Sequence, residues 1–232
     1  MMKLSIVMPV LDEAAEIEAA LQALTPYRQR GVEVIVADGG SSDGTAERAH
    51  ALADRVIAAP RGRSLQMNAG AAAARGDALL FLHADTQLPE NADGLVLDGL
   101  ARSGRAIHRT WGHFNVRIDG GGLLRVVAAM MNLRSRLTGI ATGDQALFVT
   151  RAAFERVGGF PPIALMEDVA LSVRLKRFGR PCALRARVTT SARRWRAHGT
   201  LRTVLLMWRL RLRFFLGADP AKLARAYGYA ER

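Results

Sequence analysis

Three of the most apolar runs in this chain stop at an acid. "KLSIVMPV" (3–10) is followed by Asp12, "VEVIVA" (32–37) by Asp38, and "DALLFL" (77–82) by His83 and Asp85. Runs of this length, rich in β-branched and bulky residues, read as strands buried on both faces. Helical stretches stand between them. Asp12 is predicted as the N-cap of a helix whose stripe is Ile17, Ala20, Leu21 and Leu24, and a second helix should open at Asp43 and run to about Leu52. "RVIAA" (55–59) is a short further strand, and the basic loop "PRGRS" leads into a helix of small residues, "LQMNAGAAAARG". Pro89 is expected in the first turn of the helix after that. Strands alternating with helices in this rhythm predict an α/β fold with a central, mostly parallel sheet flanked by helices.

Such a sheet binds ligands at the carboxyl ends of its strands. The spacing therefore brings Asp12, Asp38 and Asp85 to one rim of a chain whose formal net charge is +12. Carboxylates gathered this way repel unless something offsets their charge. A hard divalent ion such as Mg2+ or Mn2+ does so, and takes substrate phosphates as well. Each acid alone is an ordinary turn or cap residue; the three together predict a cation-and-phosphate site. "DGGSSDGT" is a polar turn, and neither G-x-G-x-x-G nor G-x-x-x-x-G-K-[ST] occurs.

After about residue 105 the rhythm changes. "AIHRTWGHFNVRI" is predicted as one or two antiparallel strands, "GLLRVVAAMMNLRSRL" as a helix, and "QALFVT" as a strand. "EDVALSVRLKRFG" should be an amphipathic helix stopped by Gly179. There is no repeat, so the expected layout is one domain over 1–199 and a helical extension over 200–232. In that extension Arg202, Arg209 and Arg213 share a helical face, with Arg211 opposite. It is expected to lie on a membrane surface or to pack on the domain or on a second copy in a homodimer.

Composition narrows the setting. Only Lys3, Lys176 and Lys222 are lysines, so the positive charge is arginine, which suits phosphorylated sugars, acidic lipid headgroups or nucleic acid. Cys182 stands alone, which excludes an internal disulfide and points to a reducing, cytoplasmic compartment, with the inner face of the membrane as an added location. Asp12 and Glu13 come too early for a signal peptide, and no stretch of about 18 uncharged apolar residues is present.

"SIVMPVLDEAAEIEAAL", "VIVADGGSSDGT", "GRSLQMNAGAAAARGDALLFLHADT" and "MEDVALSVRLKRFG" resemble, in this order, the inverting family 2 glycosyltransferases of the GT-A fold. The compact "GRSLQMNAG…FLHADT" form is similar to small bacterial members described as radical-SAM-associated or arsenosugar-type. The resemblance covers roughly 3–195. It implies transfer of a sugar from a nucleotide-diphosphate donor, such as a UDP- or GDP-sugar, to a hydroxyl acceptor, lipid or small molecule, with Mg2+ or Mn2+. It implies nucleotide-sugar contacts from Pro9, Leu11, Asp12, Glu13, Asp38, Arg63, Asn68, Ala84 and Asp85. Asp85 would be the metal-binding acid of the D-x-D motif, whose first acid is here His83, a second candidate ligand. Asp168 would be the general base and Glu167 its supporting or acceptor-binding neighbour. Gly143, Asp144 and Gln145 would line the acceptor side, and Arg194 and Trp195 match part of a Q-x-x-R-W segment, with Ser191 where the Gln would stand. Two other classes stay open on the residues alone: a basic nucleic-acid-binding module, although no such motif is present, and a sugar nucleotidyltransferase, although the first strand lacks its Gly- and Lys-containing loop.

Overall fold

The computed structural model describes residues 2–101 and 109–229. Its strands are β1 (Leu4–Val10), β2 (Glu33–Asp38), β3 (Arg55–Ala58), β4 (Ala78–Phe81), β5 (Thr86–Gln87), β6 (Trp111–Ile118), β7 (Phe148–Thr150) and β8 (Cys182–Thr190). They form one sheet in the order β3-β2-β1-β4-β7-β6-β8-β5. β1, β2, β3 and β4 pair in parallel, and so do β6 and β8. β7 is antiparallel to both β4 and β6, which joins the two parallel parts. The strand expected over 106–118 is found from Trp111 onward; 106–108 lie outside the described residues. β8 and β5 had no counterpart in the sequence reading.

The helices are α1 (Ile17–Gln22), α2 (Thr25–Gln29), α3 (Thr45–His50), α4 (Arg63–Ala73), α5 (Ala92–Ala101), α6 (Leu123–Thr138), α7 (Arg151–Arg156), α8 (Glu167–Leu175), α9 (Arg193–His198), α10 (Thr200–Phe215) and α11 (Pro220–Tyr227). Asp12 does not cap the first of them, because α1 begins later and Asp12 lies in a turn at φ 53°. Pro89 likewise precedes the first turn of α5 instead of entering it. The small side chains of α4 have a packing reason. Gly70 lies so close to Val7 of β1 that a β-carbon there would overlap it, so the helix rests directly on the sheet.

Alternation along the strands fills two layers. Ile6, Met8, Val34, Val36 and Leu80 point to one face, with Leu21, Leu24 and Phe114. Val7, Ile35, Leu79 and Phe81 point to the other, with Met67, Trp111, Phe154 and Phe160. Each fully buried side chain of this size stabilises the fold by about 1.5–3 kcal/mol. A third, smaller cluster joins Leu210 of α10 and Leu223 and Ala224 of α11 to Ile140, Leu165, Met166 and Val169. The C-terminal helices are thereby anchored over the segment that leads into α8. No described helix is long and apolar enough to cross a membrane.

Candidate active site

Because β2, β1 and β4 are neighbours, Asp38, Asp12 and Asp85 do fall along the carboxyl-end rim of the sheet. Two of them are spent on the loop after β2. Asp38, nearly fully buried, accepts hydrogen bonds from the Gly40 and Ser41 amides at 3.0 Å and from the Ser41 hydroxyl. Asp12 accepts from the Ser42 amide at 2.9 Å, while its own amide donates to Ser41 Oγ. The expectation that the three acids share a cation is thus corrected: Asp38 and Asp12 accept turn amides, and no group of three metal-capable side chains occurs among the described residues. Asp85 differs. Among the described residues its carboxylate accepts only from Thr86 Oγ1, at 3.3 Å, which leaves it most of its acceptor capacity. One free carboxylate suits an ion whose remaining ligands are substrate phosphates and water, not a closed protein cage. His83, two residues earlier, turns its Nδ1 toward Asp144 Oδ1 at 3.8 Å.

Beside this rim, Pro9 belongs to β1 opposite Ala37, Leu11 is half-buried, and Ala84 packs against the first core layer. Glu13 pairs with Arg193 at 3.4 Å; burial raises its pKa and Arg193 only partly counters this. Asn68 is committed elsewhere. Its amide donates to the Phe160 carbonyl and accepts from the Phe160 amide, both at 2.9 Å, which clips α4 to the loop after α7.

The Glu167–Asp168 pair opens α8 directly after Met166, whose φ of 69° is unusual for a side chain of that size. Asp168 Oδ2 accepts the Gly143 amide and Oδ1 its neighbour Val169's amide, both at 2.7 Å. Gly143–Gln145 is a single 3-10 turn, followed by Ala146 at φ 45°. All three left-handed non-glycine residues among those described (Asp12, Ala146, Met166) thus sit on loops of the site, where strain is commonly held. Gly143 is required by crowding, since a β-carbon would lie 2.5 Å from His83 Cε1. Gln145 is not at the cleft. It is fully buried, accepts the Thr142 amide at 3.2 Å, and donates toward the Phe114 carbonyl and Ser135 Oγ. Beside it lies His113, whose Nδ1 is 2.9 Å from the Phe114 carbonyl and whose Nε2 is buried without a partner.

Glu167, Asp168, His83, Gly143, Asp144, Arg63 and Trp195 line one cavity of about 680 Å3. Burial, then the Asp168 charge, pushes the Glu167 carboxyl up to about 7, while Arg63 pulls it down. Desolvation would raise Asp144 too, but the neighbouring His83 ring and the charges of Arg63 and Arg194 leave it below the usual carboxylate range. Arg194 stacks 3.5 Å over the Tyr227 ring and donates to the Tyr227 carbonyl at 2.7 Å, so α11 holds it at the cavity edge. Among the cavity residues that had escaped the sequence reading are Arg134 of α6, Arg211 of α10 and Tyr227.

Over residues 5–149 the sequence matches the family described as Glycosyl transferase family 2. No curated protein matches the chain. Among solved structures, residues 1–349 of S. aureus TarS superpose with a TM-score of 0.65 at 17% identity, over 82% of this chain and 61% of that one. The chain therefore spans about three fifths of that structure's length. Glucosyl-3-phosphoglycerate synthase from Mycobacterium tuberculosis, in complex with Mn2+, UDP and phosphoglyceric acid, gives 0.59 at 22% identity, over 82% and 69%. The mannosyltransferase PcManGT from Pyrobaculum calidifontis, in complex with GDP-Man and Mn2+, gives 0.64 at 19%, over 98% and 69%. The family match covers more than half of the sequence, and the fold likeness extends past it to the second half of the sheet; the chain belongs to glycosyl transferase family 2 and has its α/β GT-A fold.

Proposed function

We propose that this chain transfers a sugar, with inversion, from a nucleotide-diphosphate donor to an acceptor hydroxyl. One observation carries the reading: two adjacent carboxylates enter, from the first turn of α8, the cavity that also holds His83, Asp144 and Arg63 at the strand-end rim. Asp38, Asp12 and the loop they organise would receive the nucleoside, as the family resemblance implies. Arg63 offers a guanidinium for phosphate. Asp85 is the residue to hold Mg2+ or Mn2+, with His83 as a second candidate; the ion would supply charge neutralisation for the departing diphosphate. The structural relatives solved with UDP, GDP-Man and Mn2+ support a donor and a metal of that kind. The compact "GRSLQMNAG…FLHADT" segment supports a place among the radical-SAM-associated, arsenosugar-type members.

Asp168 is assigned as the base. The Gly143 and Val169 amides fix both of its oxygens, and so fix where the acceptor hydroxyl must come to lose its proton. A second reading gives the proton to Glu167, because burial brings that carboxyl to about 7, close to a working pH. A donor screen over UDP-, GDP- and dTDP-sugars with Mn2+ or Mg2+ tests the function. Asp168→Asn should abolish transfer, by at least about 10²-fold, and leave nucleotide binding within about twofold. If instead Glu167→Gln abolishes it and Asp168→Asn keeps most of the rate, the second reading holds. No donor cleaved under any condition refutes both.

A further inference from the structure

The acceptor side of the cavity holds a guanidinium to which no described group hydrogen-bonds. Both guanidinium Nη atoms of Arg134 are buried, and neither has a hydrogen-bond partner. Arg211 lines the same cavity from α10, and the Asp168 charge acts on both arginines. Burial, and then the like charge of Arg211, lowers the Arg134 pKa to about 10, with Asp168 acting the other way. A buried guanidinium without a hydrogen bond is costly, and the like charge of Arg211 nearby adds to the cost that Asp168 only partly offsets. Such a pair persists where it has a ligand to hold.

Around the arginines the wall is apolar: Met130, Met131, Leu165, Val204, Met207 and Trp208. The cavity is also the right size, since sites of about 300–1,000 Å3 take ligands of drug or lipid-segment size. Its mouth continues into two apolar stripes. On α6, Leu123, Val126, Met130, Leu133 and Leu137 recur at alternating spacings of three and four, and Leu133 and Leu137 are 59% and 70% exposed. On α10 the same rhythm exposes Leu201, Leu205, Trp208, Leu212 and Phe215, with Trp208 61% exposed. Arg202, Arg209 and Arg213 stand exposed on α10 beside the second stripe.

We propose that the acceptor is an amphiphile with an anionic group, a phosphate or carboxylate, seated between Arg134 and Arg211 and an apolar tail running out between α6 and α10. This rests on the transferase reading and adds the acceptor class to it. Charge complementarity chooses the occupant: an apolar pocket alone would accept any hydrophobe, but the two arginines demand an anion within it. Seating that anion beside Asp168 would bring a hydroxyl near it into reach of the base. A tail leaving along the exposed stripes fits an acceptor drawn from an anionic lipid surface, on which such stripes and flanking arginines rest.

Trp195 and Trp208 line the cavity, so intrinsic fluorescence reads binding without turnover. The probes are dodecyl phosphate, the neutral dodecyl maltoside, and inorganic phosphate, each below its micelle concentration where it has one. Dodecyl phosphate should bind at least tenfold tighter than either of the others. Arg134→Met and Arg211→Leu should each erase that preference. Arg134→Met should also unfold at the same or a higher temperature than the parent, since it removes an unsatisfied charge; a structural arginine would show the opposite. Equal affinity for the two dodecyl compounds, no binding of dodecyl phosphate, or self-association that covers the stripes and excludes it would overturn the proposal. UDP and GDP binding with Mn2+, measured on the same preparations, reports on the transferase reading separately.

Discussion

His113 should make this protein acid-labile by an amount that can be worked out from its surroundings. It is fully buried in β6 between Phe114 and Gln145, and its Nε2 has no partner. Burial lowers its pKa from 6.5 to about 4; the Phe114 carbonyl works against this, and Arg136 and Arg134 add to it. Above pH 6.5 neither the folded nor the unfolded imidazole is protonated, and this contribution to stability is whole. As pH falls, the unfolded chain takes up the proton first, and stability declines until the folded state also protonates near pH 4. A gap of about two and a half pH units at about 1.4 kcal/mol each gives a loss of about 3 kcal/mol. For a chain of this length that lowers Tm by on the order of 10 °C. The assay is urea unfolding of the parent and of His113→Asn at several pH values between 7.5 and 4. Carboxylates contribute alike to both proteins, so only the difference matters. The parent should lose about 3 kcal/mol more than the variant. Two parallel curves would refute the argument.

Other perturbations bear on the site itself. Gly143→Ala sets a β-carbon 2.5 Å from His83 Cε1, so the ring or the turn that donates to Asp168 must shift by about 1 Å. Turnover should fall about 10²-fold with modest loss of Tm, and unchanged kcat/KM would sink the idea. Asn68→Ala removes both hydrogen bonds to Phe160 and should cost about 1–3 kcal/mol in chemical unfolding. Nucleotide affinity should move little, and a large loss of affinity with unchanged stability would return Asn68 to the donor site. Asp85→Asn should weaken Mn2+-dependent nucleotide binding in calorimetry while leaving metal-free binding unchanged; equal metal dependence in both proteins would remove Asp85 from the ion.

The first half of the fold was legible because its strands are continuous apolar runs, and Met8, Ile35 and Leu80 need no partner to announce burial. β8 was not, because Arg185 and Arg187 interrupt a strand that is only half covered, although the alternation in "CALRARVTT" was a usable signal. Polar residues were harder. Gln145 looks like a cleft residue and is a buried brace, while Asp12 and Asp38 look like ion ligands and hold turn amides. A side chain's type tells what it can bond to, and only the fold tells which partner reaches it first. Arg134 and Arg211 lie on helices far apart in the chain, so their meeting had no local signature. Arg211 nevertheless stood out as the arginine opposite the others on its helix, and it lines the cavity, as Arg209 also does.

The sheet order has a bearing on biosynthesis. β6 needs β8 as its parallel partner, yet β8 is made some 60 residues later and only after the acids of α8. Until Thr190 has left the ribosome, one flank of β6 offers unpaired amides and carbonyls and a bare Phe114-bearing face to any other nascent chain. Truncations inside α8 should therefore accumulate as insoluble material, whereas those placed just beyond β8 should lose the C-terminal helices that line one side of the cavity and still remain in solution.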